Sequence, residues 1–222
     1  MKKNNILISP SILAADFSML GQEVANIDSA GADWIHIDIM DGHFVPNLTI
    51  GPEVVSNLRK YTKKLFDVHL MTKPANNWIK PFSEAGADII TIHIEAEENI
   101  KKTLKAIRDI GLKAGISIKP STSEYELEPY LDFCDLILVM TVNPGFGGQK
   151  FMASQLKKIS NINKLINNKK LNTLIEVDGG INLETSKLCI EAGADILVAG
   201  SAIFSEKKSN YSQIIQSLRN ES

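Results

Sequence analysis

The stretch Trp34-Ile35-His36-Ile37-Asp38-Ile39-Met40-Asp41-Gly42-His43-Phe44-Val45-Pro46-Asn47 decides how the chain is read. Up to Met40 it alternates with period two, as a strand does. Trp34, His36, Asp38 and Met40 share one face, and Ile35, Ile37 and Ile39 share the other. The all-Ile face needs a cover of helices. The other face carries His and Asp two residues apart, and the run then breaks into a Gly/Pro/Asn loop. Metal-type side chains at i and i+2 beside such a loop mark the functional end of a strand.

An internal repeat organises the rest. Ala-Gly-Ala-Asp occurs at 30–33, 85–88 and 192–195, each time between a helical pattern and a β-branched run. The first two copies start 55 residues apart and the last two 107 apart, close to twice that. The missing copy belongs near residue 135, where Phe133-Cys134-Asp135 leads into Leu136-Ile137-Leu138-Val139-Met140. Four such units fill the chain, and each halves into one strand-helix pair, which predicts a single (β/α)8 TIM barrel over residues 1–222. The strands are expected at 6–9, 34–38, 64–69, 89–93, 114–118, 136–140, 174–177 and 196–199. Helices are expected between them, among them 19–29, 52–61, 99–110 and 183–191. A doubly wound open sheet is the second architecture, disfavoured by the evenness of the repeat.

Composition excludes several function classes. The chain has 222 residues, 44% hydrophobic and 23% charged, with a net charge of −2, so it carries no electrostatic footprint for nucleic acid. The basic run from Lys157 to Lys170 reads as the wet face of a helix. Cys134 and Cys189 lack metal-type spacing and suit a reducing compartment. No run approaches membrane-spanning length, and Lys2-Lys3 is followed by too short an apolar segment for a signal peptide. A cytoplasmic protein with a small-molecule partner is expected, assembled as a homo-oligomer.

In such a barrel the chemistry collects where strands end. Those ends offer Ser11 after strand 1, His36 and Asp38 on strand 2, and His69 with Met71 after strand 3. Met140 lies on strand 6, Asp178 follows strand 7, and Gly200-Ser201 follows strand 8. His36, Asp38, His69 and Asp178 make a two-His, two-carboxylate set suited to one divalent ion, Zn²⁺, Fe²⁺ or Mn²⁺. His93, one strand further round, reads equally well as a structural side chain. Glycines cluster separately, as Gly145-Phe146-Gly147-Gly148, Gly179-Gly180 and Gly200 at three consecutive strand ends, where backbone N–H groups can wrap a phosphate. The loop 141–152 could close as a lid with Phe146 over the ligand. Met40, Met71 and Met140 read as a dry floor or equally as core filler. Asp38 and Asp178, from strands 2 and 7, suit proton removal from one face of a carbon and return to the other.

With those residues laid out, the chain from about Ile8 to Phe204 resembles the ribulose-phosphate 3-epimerase family. The motifs are Ser9-Pro10-Ser11-Ile12-Leu13-Ala14, the opening stretch, Asp67-Val68-His69-Leu70-Met71, Val142-Asn143-Pro144-Gly145-Phe146-Gly147-Gly148-Gln149, Glu176-Val177-Asp178-Gly179-Gly180-Ile181 and Ala199-Gly200-Ser201-Ala202-Ile203-Phe204. The resemblance implies a metal-dependent barrel interconverting D-ribulose 5-phosphate and D-xylulose 5-phosphate through a 2,3-enediolate, within the pentose phosphate pathway. It implies His36, Asp38, His69 and Asp178 as metal ligands and Asp38 with Asp178 as the acid/base pair. Ser11 and His69 become substrate contacts, and Gly145–Gly148 with Gly200-Ser201 the phosphate cradle. A 3-epimerase of a hexulose 6-phosphate such as allulose 6-phosphate would share the catalytic set, but resembles Phe-Ala-Gly and Asp-Gly-Ser where this chain has Gly147 and Gly179-Gly180. A keto-gulonate-phosphate decarboxylase of the same superfamily would call for a Lys that Asp67–Met71 lacks. A barrel that only binds sugar phosphates is disfavoured by a full acid/base pair.

Overall fold

In the computed structural model, which describes residues 6–219, the repeat has a mechanical explanation. Gly31, Gly86 and Gly193 take φ of 94°, 96° and 110°, ending each helix in a conformation that only glycine adopts freely. The aspartate two residues later opens a strand and clamps the strand before it. Asp33, Asp88, Asp135 and Asp195 donate their backbone N–H to the carbonyls of Ile8, Phe66, Ala114 and Ile175. Their carboxylates accept the N–H of those same four residues at 2.8–2.9 Å. The unit at Phe133-Cys134-Asp135 keeps this clamp without the glycine, because a 3-10 helix from Glu124 to Phe133 precedes it. Pro129 inside that segment has no N–H to give to an α-helical ladder. Arg59, Arg108 and Arg219 pair with Asp88, Asp135 and Asp33 at 3.0, 2.8 and 2.5 Å. The Lys2-Lys3 start lies outside the described residues.

Eight strands result: β1 (Leu7–Pro10), β2 (Trp34–Met40), β3 (Leu65–Met71), β4 (Ile89–His93), β5 (Lys113–Ile118), β6 (Leu136–Met140), β7 (Leu174–Asp178) and β8 (Ile196–Ala199). They pair in parallel in the order β1-β8-β7-β6-β5-β4-β3-β2, and a Ser11–His36 bridge joins the two ends. This is the expected (β/α)8 barrel. Expected strand ends hold within two residues, with two local differences: His69 and Met71 lie inside β3 rather than after it, and Asp178 closes β7. The helices are α1 (Leu20–Ser29), α2 (Pro52–Leu58), α3 (Ile79–Glu84), α4 (Ile100–Asp109), α5 (Gln155–Lys169), α6 (Leu183–Ala192), α7 (Ser201–Phe204) and α8 (Tyr211–Leu218). Asn182 caps α6 reciprocally with Thr185, and α2 tightens into a 3-10 turn over Arg59–Tyr61. None of the described helices is long and apolar enough to cross a membrane.

Period-two alternation sorts the strand residues into two cores. The outward set, including Ile35, Ile37, Phe66, Val68, Ile90, Ile116, Val139 and Val177, is fully buried beneath the helices. Burial of each such side chain is worth about 1.5–3 kcal/mol. The inward set begins with an apolar plug of Trp34, Ile89, Leu136 and Ile196 at the strand starts. Two residues further along, the interior turns polar with Ser9, His36, Asp67, Thr91 and Glu176, all fully buried. Another step brings Ser11, Asp38, His69, His93, Met140 and Asp178 to the mouth. The apolar plug closes one end of the barrel, so the polar layers open only at the other.

Asp88→Ala removes the acceptor for the Phe66 N–H together with the partner of Arg59. The urea midpoint should fall by the equivalent of about 1–3 kcal/mol. Glu84→Ala, which cuts only an exposed pair with Lys80, should shift it by less than about 0.5 kcal/mol. Equal, small effects would count against the clamp as a stability element.

Candidate active site

β2 and β3 lie in register with His36 beside Asp67, Asp38 beside His69 and Met40 beside Met71. Parallel pairing therefore delivers alternating imidazole and carboxylate to the barrel mouth. Asp38 is the hub. Its Oδ2 accepts the Ser11 hydroxyl at 2.5 Å, while its Oδ1 lies 3.1 Å from His69 Nδ1 and 3.3 Å from His36 Nε2. Asp178 arrives from β7, and one ligand atom from each of His36, Asp38, His69 and Asp178 falls within 4.8 Å of the others. All four of the residues expected to gather do so.

The electrostatics of this group are uneven. Burial works to raise the Asp38 carboxyl, yet the His36 and His69 rings outweigh it and hold it well below the usual range. At Asp178 the balance runs the other way, and the opposing pull of His36 does not prevail. Burial, and then the charge of Asp38, push it up to about 7. Burial opposes a charge on His36, but Asp38 and Asp67 prevail and raise its pKa. Burial depresses His69, and it takes His93 down to about 4. Two neighbouring carboxylates thus have widely separated proton affinities.

Behind the ligand set stands a layer that the sequence reading passed over. His36 Nδ1 lies 2.6 Å from Asp67 Oδ2, which leaves Nε2 facing the site with no hydrogen-bond partner among the described residues. Glu176, fully buried, makes no hydrogen bond through either oxygen among the described residues, and burial with Asp67 nearby raises its pKa well above the carboxylate range. His69 Nε2 lies 2.9 Å from His93 Nε2, and His93 Nδ1 lies 3.1 Å from Glu95 Oε2. Asp67 and Glu176 had a signal: each stands two residues before an expected ligand and so shares its inward face. Glu95, in a 3-10 turn after β4, had none.

Above the group a cleft of about 560 Å³ is lined by Ser11, Asp38, Asp178, the three methionines Met40, Met71 and Met140, and the glycine loops. His36 and His69 are fully buried and do not themselves line it, whereas Asp38 and Asp178 do. Gly145, Phe146, Gly147, Gly148, Gly179, Gly180, Gly200 and Ser201 all border this cleft, so the three expected loops do converge. The Gly179 conformation, φ 120°, is not open to other residues, and a Cβ there would meet Val142 Cγ2 at 2.5 Å. The β6 loop is tied down by Asn47 to the Gly145 carbonyl at 2.8 Å and by Gln149 to the carbonyls of Asn143 and Phe146. Phe146 stays about half exposed at the rim. Lys158, within the basic run read as a wet face, is instead buried, with its ammonium on the carbonyls of Lys119, Pro120 and Thr122.

Known proteins place this geometry. Residues 7–204 match the model of the Ribulose-phosphate 3 epimerase family. Ribulose-phosphate 3-epimerase of Synechocystis is 49% identical, covering 97% of this chain and 94% of its own, and that of Bacillus subtilis is 50% identical over 94% and 98%. Among solved structures, the tryptophan synthase α-subunit of Pyrococcus furiosus superposes with a TM-score of 0.73 at 14% identity over 99% of this chain and all of its own, a likeness of fold alone. An eight-stranded parallel barrel whose mouth gathers these carboxylates, imidazoles and glycine loops, matched at about half identity over nearly its whole length, belongs to the ribulose-phosphate 3-epimerase family, an isomerase family.

Proposed function

We propose that the chain interconverts D-ribulose 5-phosphate and D-xylulose 5-phosphate at C3 with one divalent cation held by His36, Asp38, His69 and Asp178. The observation that carries this reading is the convergence of those four donors beneath a cleft rimmed by glycine loops. The chain's own chemistry fits a cation. The buried His36 Nε2 has no hydrogen-bond partner among the described residues, and Asp178 is pushed up to about 7 by burial and by Asp38, a repulsion that a positive charge would relieve. Mixed imidazole and carboxylate donors suit Zn²⁺, Fe²⁺ or Mn²⁺ better than Ca²⁺. When bound, the cation acts as a Lewis acid that stabilises the negative charge built up on adjacent substrate oxygens.

The protein groups supply the rest. Asp38 and Asp178 flank C3 and exchange its proton, one on each face, so that removal by one and return by the other inverts the centre through a 2,3-enediolate. Ser11 donates to Asp38 Oδ2 and fixes the orientation of the carboxylate. Met40, Met71 and Met140, all buried, keep the floor dry and strengthen each polar contact above it. Backbone N–H groups of Gly145–Gly148, Gly179-Gly180 and Gly200-Ser201 hold the phosphate, and the β6 loop closes with Phe146 over the sugar. The hexulose-phosphate and binding-only readings have no observation in their favour.

Metal removal should abolish turnover and leave the fold intact, since no ligand ties down a loop, with the thermal midpoint lowered only by the stabilisation the bound ion supplied. Asp178 must give up its proton to ligate, so metal affinity should fall as pH drops through about 7. Chelator competition at several pH values checks this, and full activity in metal-free protein, verified by elemental analysis, rules the metal out.

Phosphate anchoring implies that unphosphorylated ribulose loses at least ~100-fold in kcat/KM, about 2.7 kcal/mol of transition-state binding. Comparable efficiency for both sugars would refute the cradle.

Asp38→Asn and Asp178→Asn, each first shown to retain metal, should both lose net epimerisation. In D₂O each should exchange the C3 hydrogen of a single epimer, a different one in the two variants. Exchange of both epimers by one variant would mean that some other group serves both faces.

A further inference from the structure

Beside the ligand set, a chain of polar contacts at the mouth runs from His69 through His93 to Glu95. We infer that His93 and Glu95 are positioning residues that set which ring nitrogen of His69 is free to hold the cation, an inference resting on the metal dependence proposed above. His69 turns Nδ1 toward the site, 3.1 Å from Asp38 Oδ1, and Nε2 toward His93 Nε2 at 2.9 Å. A neutral imidazole has one donor and one acceptor, so across that contact one ring gives a proton and the other receives it.

Glu95 decides the direction. Its Oε1 accepts the Lys119 backbone N–H at 2.9 Å and the Thr122 hydroxyl, while its Oε2 faces His93 Nδ1 at 3.1 Å. A carboxylate only accepts. The proton of His93 therefore sits on Nδ1, its Nε2 presents a lone pair, and His69 donates from Nε2. That leaves the lone pair of His69 Nδ1 aimed at the site. Asp38 draws the His69 proton the other way, and Glu95 opposes that pull from two rings away.

The relay is built to stay in place. His93 is fully buried between the His69 ring, 4.9 Å away, and Phe44, 4.7 Å away. The Lys119–Thr122 segment that grips Glu95 is itself held by Lys158 on three carbonyls. His36 obtains the same orientation directly, from Asp67 at 2.6 Å on its far nitrogen. Both histidines are thus oriented from the side away from the cation, as metal-binding imidazoles generally are.

Glu95→Gln tests the direction without changing shape. The amide oxygen keeps the Lys119 N–H, so the amide NH₂ faces His93 Nδ1 and the order of donors reverses along the relay. Zinc affinity, measured by chelator competition without any substrate, should fall about 10- to 100-fold. His93→Phe, which removes the acceptor, should lose as much, and His93→Gln, whose amide oxygen can accept from His69, should recover most of it. In the zinc-loaded unmodified protein, ring ¹⁵N spectra should show His93 protonated on Nδ1 and bare on Nε2. A merely structural role would lower the thermal midpoint of Glu95→Gln while leaving zinc affinity alone. Unchanged zinc affinity in both Glu95→Gln and His93→Phe, or a His93 proton on Nε2, overturns the relay. An unmodified protein that binds no zinc, iron or manganese overturns the metal reading itself, and is seen before any variant is made.

Discussion

Burying ionisable groups inside a parallel barrel is the constraint on which this structure depends. His36, Asp67, His69, His93 and Glu176 are wholly enclosed, and Asp38 nearly so. An isolated carboxylate in such surroundings would cost several kcal/mol or more. These groups tolerate one another only as a set. The rings hold Asp38 ionised, burial and Asp67 keep the proton on Glu176, and Asp178 is left at about 7 by burial and by its neighbour Asp38. At the mouth, His36, His69 and the two aspartates bring their donor atoms together, and Asp38 and Asp178 repel one another. That is where a divalent cation would sit.

The fold makes this placement possible because two periodicities coincide. Outward residues of the strands are apolar and carry the helix layer, so the inward residues are free to be chosen for chemistry above the apolar plug. Residues two apart on one strand then stand in successive layers. His36 and Asp38, Asp67 and His69, and Glu176 and Asp178 are three such pairs, each combining a group at the mouth with one at or beneath it. Neighbouring strands supply the first support, Asp67 on β3 for His36 and His93 on β4 for His69, and rigid strands position groups more accurately than loops do.

Much of this was legible in the sequence, for physical reasons that differ from element to element. The barrel followed from a spacing of about 55 residues, and the spacing exists because each aspartate of the repeat must clamp the preceding strand. The His36, Asp38, His69 and Asp178 set followed from strand alternation, which says which side chains share a face. What alternation cannot show is which neighbour a ring nitrogen meets. Asp67 and Glu176 were on the right face but looked like ordinary interior residues. The role of His93 depends on Glu95, whose position is set by the turn after β4 and by Lys119 and Thr122 on the next loop, contacts without a local pattern. Lys158 misled for a related reason: one lysine of a basic helix turns inward because the carbonyls of Lys119, Pro120 and Thr122 cluster beneath it.

The central claim is that two imidazoles and two carboxylates converge on a single divalent ion at the barrel mouth. X-ray absorption on zinc-reconstituted protein reads that donor set directly. The account predicts one zinc per chain with two imidazole nitrogens, at about 2.0–2.1 Å, beside carboxylate oxygens at about 2.0–2.2 Å. Loss of one imidazole from that shell is expected in His36→Ala and in His69→Ala alike. A zinc shell without imidazole, or one unchanged by both substitutions, would contradict it.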